Sequence, residues 1–248
     1  MIDFKPKETN YDIEWQVESF HWWFTVRRKL LEDILASINI SKKEWAIDIG
    51  CSVGSNLQVL NSTGINAIGL DYSRYALSFA KKKTKSPLIN GDANKLPLRS
   101  RSVGLIVATD ILEHLEEDVN GISEFNRVLK NGGILILTVP AFSYLHGNQD
   151  IIAGHKRRYS LKEILDKLRQ GGFDILKASY FNFFLFFLIL LGRRFIHLLG
   201  VKIESENKIN FSLLNFFLKM IFSLEPRILK HFSFPFGVSI FCFAIKRT

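Results

Sequence analysis

Four apolar runs of strand length punctuate the middle of the chain: "WAIDIG" from Trp45, "AIGLD" from Ala67, "LIVATD" from Leu105 and "ILILTVP" from Ile134. Helical segments separate them. Strands that alternate with helices return by right-handed crossovers, which builds a mainly parallel sheet with helices on both faces. Two of the runs, ending at Asp71 and Asp110, close on an acid, and the first meets one at Asp48 just before a glycine-rich turn.

Helix signals between the runs agree. Ser73 can cap "RYALSFAKKK", whose lysines suit a helix C-terminus. "VNGISEFNRVLKNGG" carries a helical stop at Gly132 and Gly133, and Ser160 with Glu163 forms a capping-box pattern that opens a helix over 161–170. From Glu18 to Ile40, apolar residues including Trp23, Leu30, Leu31 and Ile34 recur at helical spacing, which predicts one amphipathic lead-in helix. "FDILKASYF" and the closing "GVSIFCFAIKR" read as strands.

Between those last strands lie residues 182–235, rich in Phe, Leu and Ile. They hold Arg193, Arg194, Lys202, Lys208, Lys219, Arg227 and Lys230 against Glu204, Glu206 and Glu225. The uninterrupted apolar run, Phe183 to Leu191, is shorter than the roughly 20 residues a membrane-spanning helix needs. It reads as a buried helix or one lying in an interface. Across the 248 residues, 33 Lys+Arg against 24 Asp+Glu give a formal charge of +9, which favours phosphorylated substrates, anionic lipid headgroups or nucleic acid as partners. Cys51 and Cys242 are too few and too far apart for a disulfide framework or a zinc site. A reducing, cytoplasmic setting is expected, and the N-terminus lacks the pattern of an export signal.

The glycine turn, "IDIGCSVGSN", puts Asp48 at the C-terminal end of the first strand, where ligands of open α/β sheets bind. A dinucleotide cradle would want G-x-G-x-x-G, yet Ser52 stands where the middle glycine would be. Asp71 follows 23 residues after Asp48 at the end of the second strand, placed to accept the hydroxyls of a ribose. Asp92, in "NGDANKLPL", lies near the end of a third, short strand, placed to accept from an exocyclic adenine amine. Thr109 and Asp110 reach the same sheet edge.

"IDIGCSVGSN", "GLDYS", "GDANKLPL", "VGLIVATDILEHL" and "VLKNGGILILTVP" resemble, in order and spacing, the motifs of class I S-adenosylmethionine-dependent methyltransferases over about residues 46–178. "HWWFTVRRKLL", "GHKRRYSLKEIL" and "FPFGVSI" are similar to one bacterial and archaeal branch, of the methyltransferase type 11 kind. The resemblance implies a Rossmann-like, doubly wound, mostly parallel seven-stranded sheet with an antiparallel last strand. It also implies one domain made of an N-terminal helical lid (1–44), a cofactor-binding core (45–181), an apolar, basic helical insertion (182–235) and a final strand (236–248). By similarity, Asp48 and the backbone of Gly50, Cys51, Ser52 and Gly54 hold the methionine part of S-adenosylmethionine, Asp71 with Tyr72 the ribose, and Asp92 with Ala93 the adenine. Thr109 and Asp110 border the methyl group.

Around that site His114 and His155 are the candidate general bases, and Arg157, Arg158 and Tyr159 the candidate substrate contacts, an arginine pair suiting phosphate or carboxylate. Methyl transfer needs no metal and no covalent nucleophile, and the sequence spacing displays neither. The expected acceptor is small or amphiphilic: a lipid, an isoprenoid or quinone precursor, or a lipid-linked saccharide, reached at an anionic membrane surface. The rival readings are a nucleic-acid methyltransferase or binder, disfavoured because charge alone supports it, and a non-catalytic membrane-surface module.

Overall fold

Period-two alternation within the central strands supplies two cores at once. Ile47 and Ile49 of β1 (Trp45–Ile49) pack with Ile106 and Ala108 of β4 (Val103–Thr109) on one face, while Ala46, Leu105 and Val107 pack on the other. Strands covered on both sides in this way suit the interior of a parallel sheet. The computed structural model describes residues 8–38, 40–41, 43–198 and 211–248. The remaining strands are β2 (Asn66–Asp71), β3 (Leu88–Asn90), β5 (Leu129–Pro140), β6 (Phe173–Phe181) and β7 (Ser239–Lys246). The seven form one sheet in the order β3-β2-β1-β4-β5-β7-β6, parallel except for β7, which runs antiparallel to both neighbours. Strand order reverses between β1 and β4, the position at which such sheets open a crevice for ligands.

The N-terminal region departs from the single expected helix. α1 (Glu8–Val17) ends before Glu18, and α2 (Trp22–Ser37) begins after His21, whose side chain accepts from the Trp23 N–H at 3.3 Å. Glu18 is buried and held by Lys83, Arg28 and the Ser55 hydroxyl, so the break is fixed by contacts far along the chain.

Between the strands lie α3 (Ser55–Ser62), α4 (Arg74–Lys83) and α5 (Asp118–Val128), followed by α6 (Asn148–Ala153) and α7 (Leu161–Gln170). Ser73 and Ser160 cap α4 and α7 as expected, accepting from the N–H groups of Ala76 and Glu163. α5 stops at Val128, earlier than Gly132 and Gly133 suggest, because Leu129 is already paired with Val103 of β4. The two glycines instead turn the chain into the main ladder, Gly132 at φ +69. "LEH" at 112–114 is a single 3-10 turn, not the start of a long helix.

The segment before β7 holds α8 (Phe186–Leu198), α9 (Ser212–Phe222) and α10 (Glu225–Leu229). Lys202, Glu204, Glu206 and Lys208 lie outside the described residues. α9 docks on α2: Asn215 accepts from the Trp22 N–H at 2.7 Å, and Trp23 stacks on both Phe181 and Phe222. The outer faces of α8 and α9 remain uncovered, with Phe187, Leu191, Phe195, Leu213, Phe216 and Met220 all at least half exposed. Among the described residues no helix is long and apolar enough to cross a membrane.

Candidate active site

The C-terminal ends of β1, β2 and β4, roofed by α1 and α2, enclose a cavity of about 1200 Å³. Its floor is the turn after β1. Gly50 takes φ +75 and Gly54 φ +88, and a Cβ on Gly50 would stand 3.0 Å from Ile111 Cδ1. Ser52 adopts φ +46, the left-handed conformation that glycine takes without steric cost. Two bonds hold it there: its N–H donates to Asp71 Oδ2 at 2.9 Å and its hydroxyl donates to Glu14 Oε2 at 2.7 Å.

Acids surround this turn. Asp48 is completely buried; Oδ1 accepts from Asn56 Nδ2 at 3.2 Å and Oδ2 has no partner. Burial pushes its carboxyl up to about 7, with Asp71 and Glu14 adding to the rise and the Asn56 bond opposing it. Glu14 is also pushed to about 7 by burial, with the Ser52 hydroxyl and Lys83 opposing the rise. Asp71 ends β2 with Oδ1 accepting from Ser73 N–H at 2.8 Å, and burial raises it too. Tyr72 lines the cavity beside it, as do Asp92, whose Oδ1 accepts from Asn94 N–H at 2.8 Å, and buried Ala93. Cys51 is buried in the turn and burial drives its thiol far above the ordinary range, so it is inert at neutral pH.

At the other end, Asn56 Nδ2 also donates to Thr109 Oγ1 at 2.9 Å, tying the β4 end to the floor. Arg27 of α2 pairs with Asp110 and donates to Thr138 Oγ1 at 2.9 Å. Beyond them stand Glu113, His114 and His155, all lining the cavity. Glu113 is fully buried with neither carboxyl oxygen hydrogen-bonded, and burial raises it well above the usual carboxylate range. Burial lowers His114 to about 3, so its imidazole is neutral at pH 7. His155 Nδ1 meets Asp150 Oδ1 at 2.8 Å.

The candidate substrate contacts separate. Arg158 is buried and bound through Nε to Asp150 Oδ1 at 2.8 Å and through Nη1 to the Ala141 carbonyl at 2.9 Å; it lines the cavity as part of this ion pair. Tyr159 is fully buried, its hydroxyl donating to Asp118 Oδ2 at 2.9 Å, and Arg157 pairs with the same carboxylate at 3.4 Å. Neither of these two is among the residues lining the cavity, and both brace the loop before α7 against α5.

A methyltransferase-domain family profile matches residues 47–137, the stretch that carries the turn and the acids of β2 and β4. An uncharacterized protein of Methanocaldococcus jannaschii is 30% identical over 176 residues, 59% of this chain and 68% of its own length. The chain belongs to the class I S-adenosylmethionine-dependent methyltransferases. A Mycolicibacterium smegmatis protein named "Probable S-adenosylmethionine-dependent methyltransferase" is 25% identical over 132 residues, and the chain spans about half of its length. A demethylmenaquinone methyltransferase of Staphylococcus carnosus is 28% identical over 195 residues, 73% of this chain and 76% of that protein. In architecture, a Thermotoga maritima S-adenosylmethionine-dependent methyltransferase superposes with a TM-score of 0.61 at 16% identity, over 96% of each chain.

The cofactor of the methyltransferase is therefore S-adenosylmethionine. Several cavity residues escape a sequence reading: Tyr11 and Glu14 of α1, Arg27 of α2, Asn56 of α3, Thr138 of β5 and Arg193 of α8. α1 buries only Ile13, so it has almost no apolar period to detect, and its hold on the turn is polar. Arg27 looks like one more charge on an amphipathic helix until α2 is docked over the sheet edge.

Proposed function

We propose that the methyltransferase transfers the methyl group of S-adenosylmethionine to an amphiphilic acceptor: a lipid, an isoprenoid or quinone precursor, or a lipid-linked saccharide. The observation that carries this reading is the uncovered apolar face of α8 and α9, whose inner side reaches the cavity through Ile189 and Arg193. Such a face, with exposed Arg194 on α8, Lys219 on α9 and Arg227 on α10, suits an interfacial helix pair at an anionic surface. The relationship to demethylmenaquinone methyltransferases supports a quinone precursor within that class.

The residues present fit the cofactor. Asp48, Glu14 and Asp71 are acids raised by burial around one turn, and Asp48 Oδ2 has no partner. Such a site favours a ligand with cationic centres, and S-adenosylmethionine carries an ammonium and a sulfonium. Asp48 and the 50–52 backbone would hold its methionine end, Asp71 with Tyr72 the ribose, and Asp92 with Ala93 the adenine. When bound it supplies a methyl group already activated for in-line displacement. Thr109 and Asp110, fixed by Asn56, Arg27 and Thr138, border the reacting edge, while Trp22 and Trp23 help exclude water from it.

The test uses S-adenosylmethionine labelled in its methyl group, with vesicles of anionic phospholipid carrying a total lipid extract. The expected result is salt-sensitive co-sedimentation with the vesicles and label in the organic phase, both lost from zwitterionic vesicles. An Asp71→Ala variant should still sediment but bind S-adenosylhomocysteine at least about tenfold more weakly by calorimetry. Label that appears only in water-soluble extracts, with no vesicle binding, sinks the amphiphile reading and leaves the cofactor reading intact.

A further inference from the structure

The fold assembles a second cluster that methyl transfer as such does not require. Glu113 and His114 sit on the 3-10 turn after β4, and His155 follows α6, about forty residues later. One donor atom from each lies within 4.8 Å of the others, and the two imidazole rings meet edge to face with centroids 4.8 Å apart. His155 Nε2 stands 3.9 Å from Glu113 Oε1.

The hydrogen bonds around the three residues are more informative than their proximity. The His155 imidazole has one nitrogen committed to an oxygen acceptor, Nδ1 to Asp150 Oδ1 at 2.8 Å. That leaves His155 Nε2 toward Glu113, and His114 Nδ1 is itself buried without a partner. Glu113, fully buried, has both oxygens unpaired. A metal-ligating histidine shows this division, with one nitrogen on the ion and the other N–H on a carboxylate or a backbone carbonyl. Asp150 is in turn fixed by Arg158, so the imidazole of His155 is oriented by a rigid pair. The nearby cations are neutralised locally, Arg158 by Asp150 and Arg27 by Asp110.

We propose that Glu113, His114 and His155 form a binding site for a divalent transition-metal cation at the acceptor end of the cavity. Two imidazoles and one carboxylate favour Zn²⁺, Fe²⁺, Mn²⁺ or Co²⁺ over Mg²⁺, which prefers oxygen ligands. Bonds of about 2.1 Å place tetrahedral donors about 3.4 Å apart, so donors now 3.9 Å to 4.8 Å apart close in by roughly 0.5 to 1.4 Å on binding. Three protein ligands leave a position open toward the cavity. There the ion would take a hydroxyl oxygen of the acceptor and lower its pKa, the proton leaving to solvent. This role rests on the methyltransferase reading; the binding of the ion does not.

The probe is Co²⁺ alone, added to the metal-free full chain and read by its visible d–d absorption. The expected result is saturable binding of one ion per chain, weakened at least about 100-fold in Glu113→Gln and in His155→Asn. It should be unchanged in Lys162→Ala, at an exposed side chain of α7. S-adenosylhomocysteine calorimetry on each variant checks that the fold and the cofactor site persist. In the wild type, proton NMR of the Co²⁺ form should show a hyperfine-shifted exchangeable signal from the His155 N–H that faces Asp150. Absence of saturable binding, absence of that signal, or binding that survives both variants overturns the site. A failure of cofactor binding in the wild type would overturn the methyltransferase reading instead, and leave the Co²⁺ result to stand alone.

Discussion

The two ends of the cavity handle buried charge in opposite ways. At the cofactor end, Asp48, Glu14 and Asp71 crowd around one turn, with Asp48 Oδ2 unpartnered and each acid raised by burial. Beyond the reacting edge, Asp150 is lowered instead: the His155 hydrogen bond and the Arg158 charge hold it far below the ordinary range despite its burial. One end keeps acids in a costly state, which on the proposed reading a cationic ligand relieves. The other locks its acid in an ion pair that supports the loop bearing His155. A buried charge that is paired mainly supports the fold, and one left unpaired mainly serves a ligand.

The largest effect that would sharpen this contrast is expected from Asp150→Ala. It strands the Arg158 guanidinium, only 3% exposed, and should lower unfolding free energy by about 3–5 kcal/mol in urea denaturation. Asp48→Asn, nearly isosteric, should leave stability at pH 7 close to the wild type. Equal losses from the two variants would erase the distinction.

Next in size is the pH dependence of cofactor affinity. Asp48 and Glu14 titrate near 7 in the folded apoprotein, against ordinary values of 3.8 and 4.5. Between those limits the folded chain holds protons that the unfolded chain has released, so apoprotein stability falls as pH rises toward 7. A cationic ligand expels the same protons. Affinity for S-adenosylmethionine should therefore rise by up to about tenfold per pH unit per proton released below pH 7, and level off above it. Calorimetry in buffers of different ionisation enthalpy should detect proton release, reduced in Asp48→Asn. A flat profile would mean that the acids are not the cation's partners.

The smallest effect concerns Ser52. Ser52→Gly relieves a left-handed strain of about 1–2 kcal/mol but loses the bond to Glu14 and adds unfolded-state entropy. The net change should stay within about 1 kcal/mol of zero. Ser52→Ala keeps the strain without the bond and should destabilise by about 1 kcal/mol, read from the same denaturation midpoints. A much larger loss for the glycine variant would show that the Glu14 bridge, not the backbone, shapes the turn.

The sequence by itself determined the sheet, its parallel core and the acids at the strand ends that line the cavity. Asp48, Asp71 and Thr109 lie at or just inside the ends of buried strands, and period-two apolar runs fix where those strands end. It also determined the caps of α4 and α7, because a serine bonding three residues ahead is a local event. Tertiary structure decided what no short window contains. It alone brought Glu14 onto Ser52 and Arg27 onto Asp110, and it broke the N-terminal helix at a glutamate held by Lys83. It withdrew Tyr159 and Arg157 to Asp118, and set His155 beside Glu113 and His114 across two connections. The physical reason is range: periodicity and capping are read within a turn or a strand, whereas the pairing of a buried charge depends on which distant element folds over it.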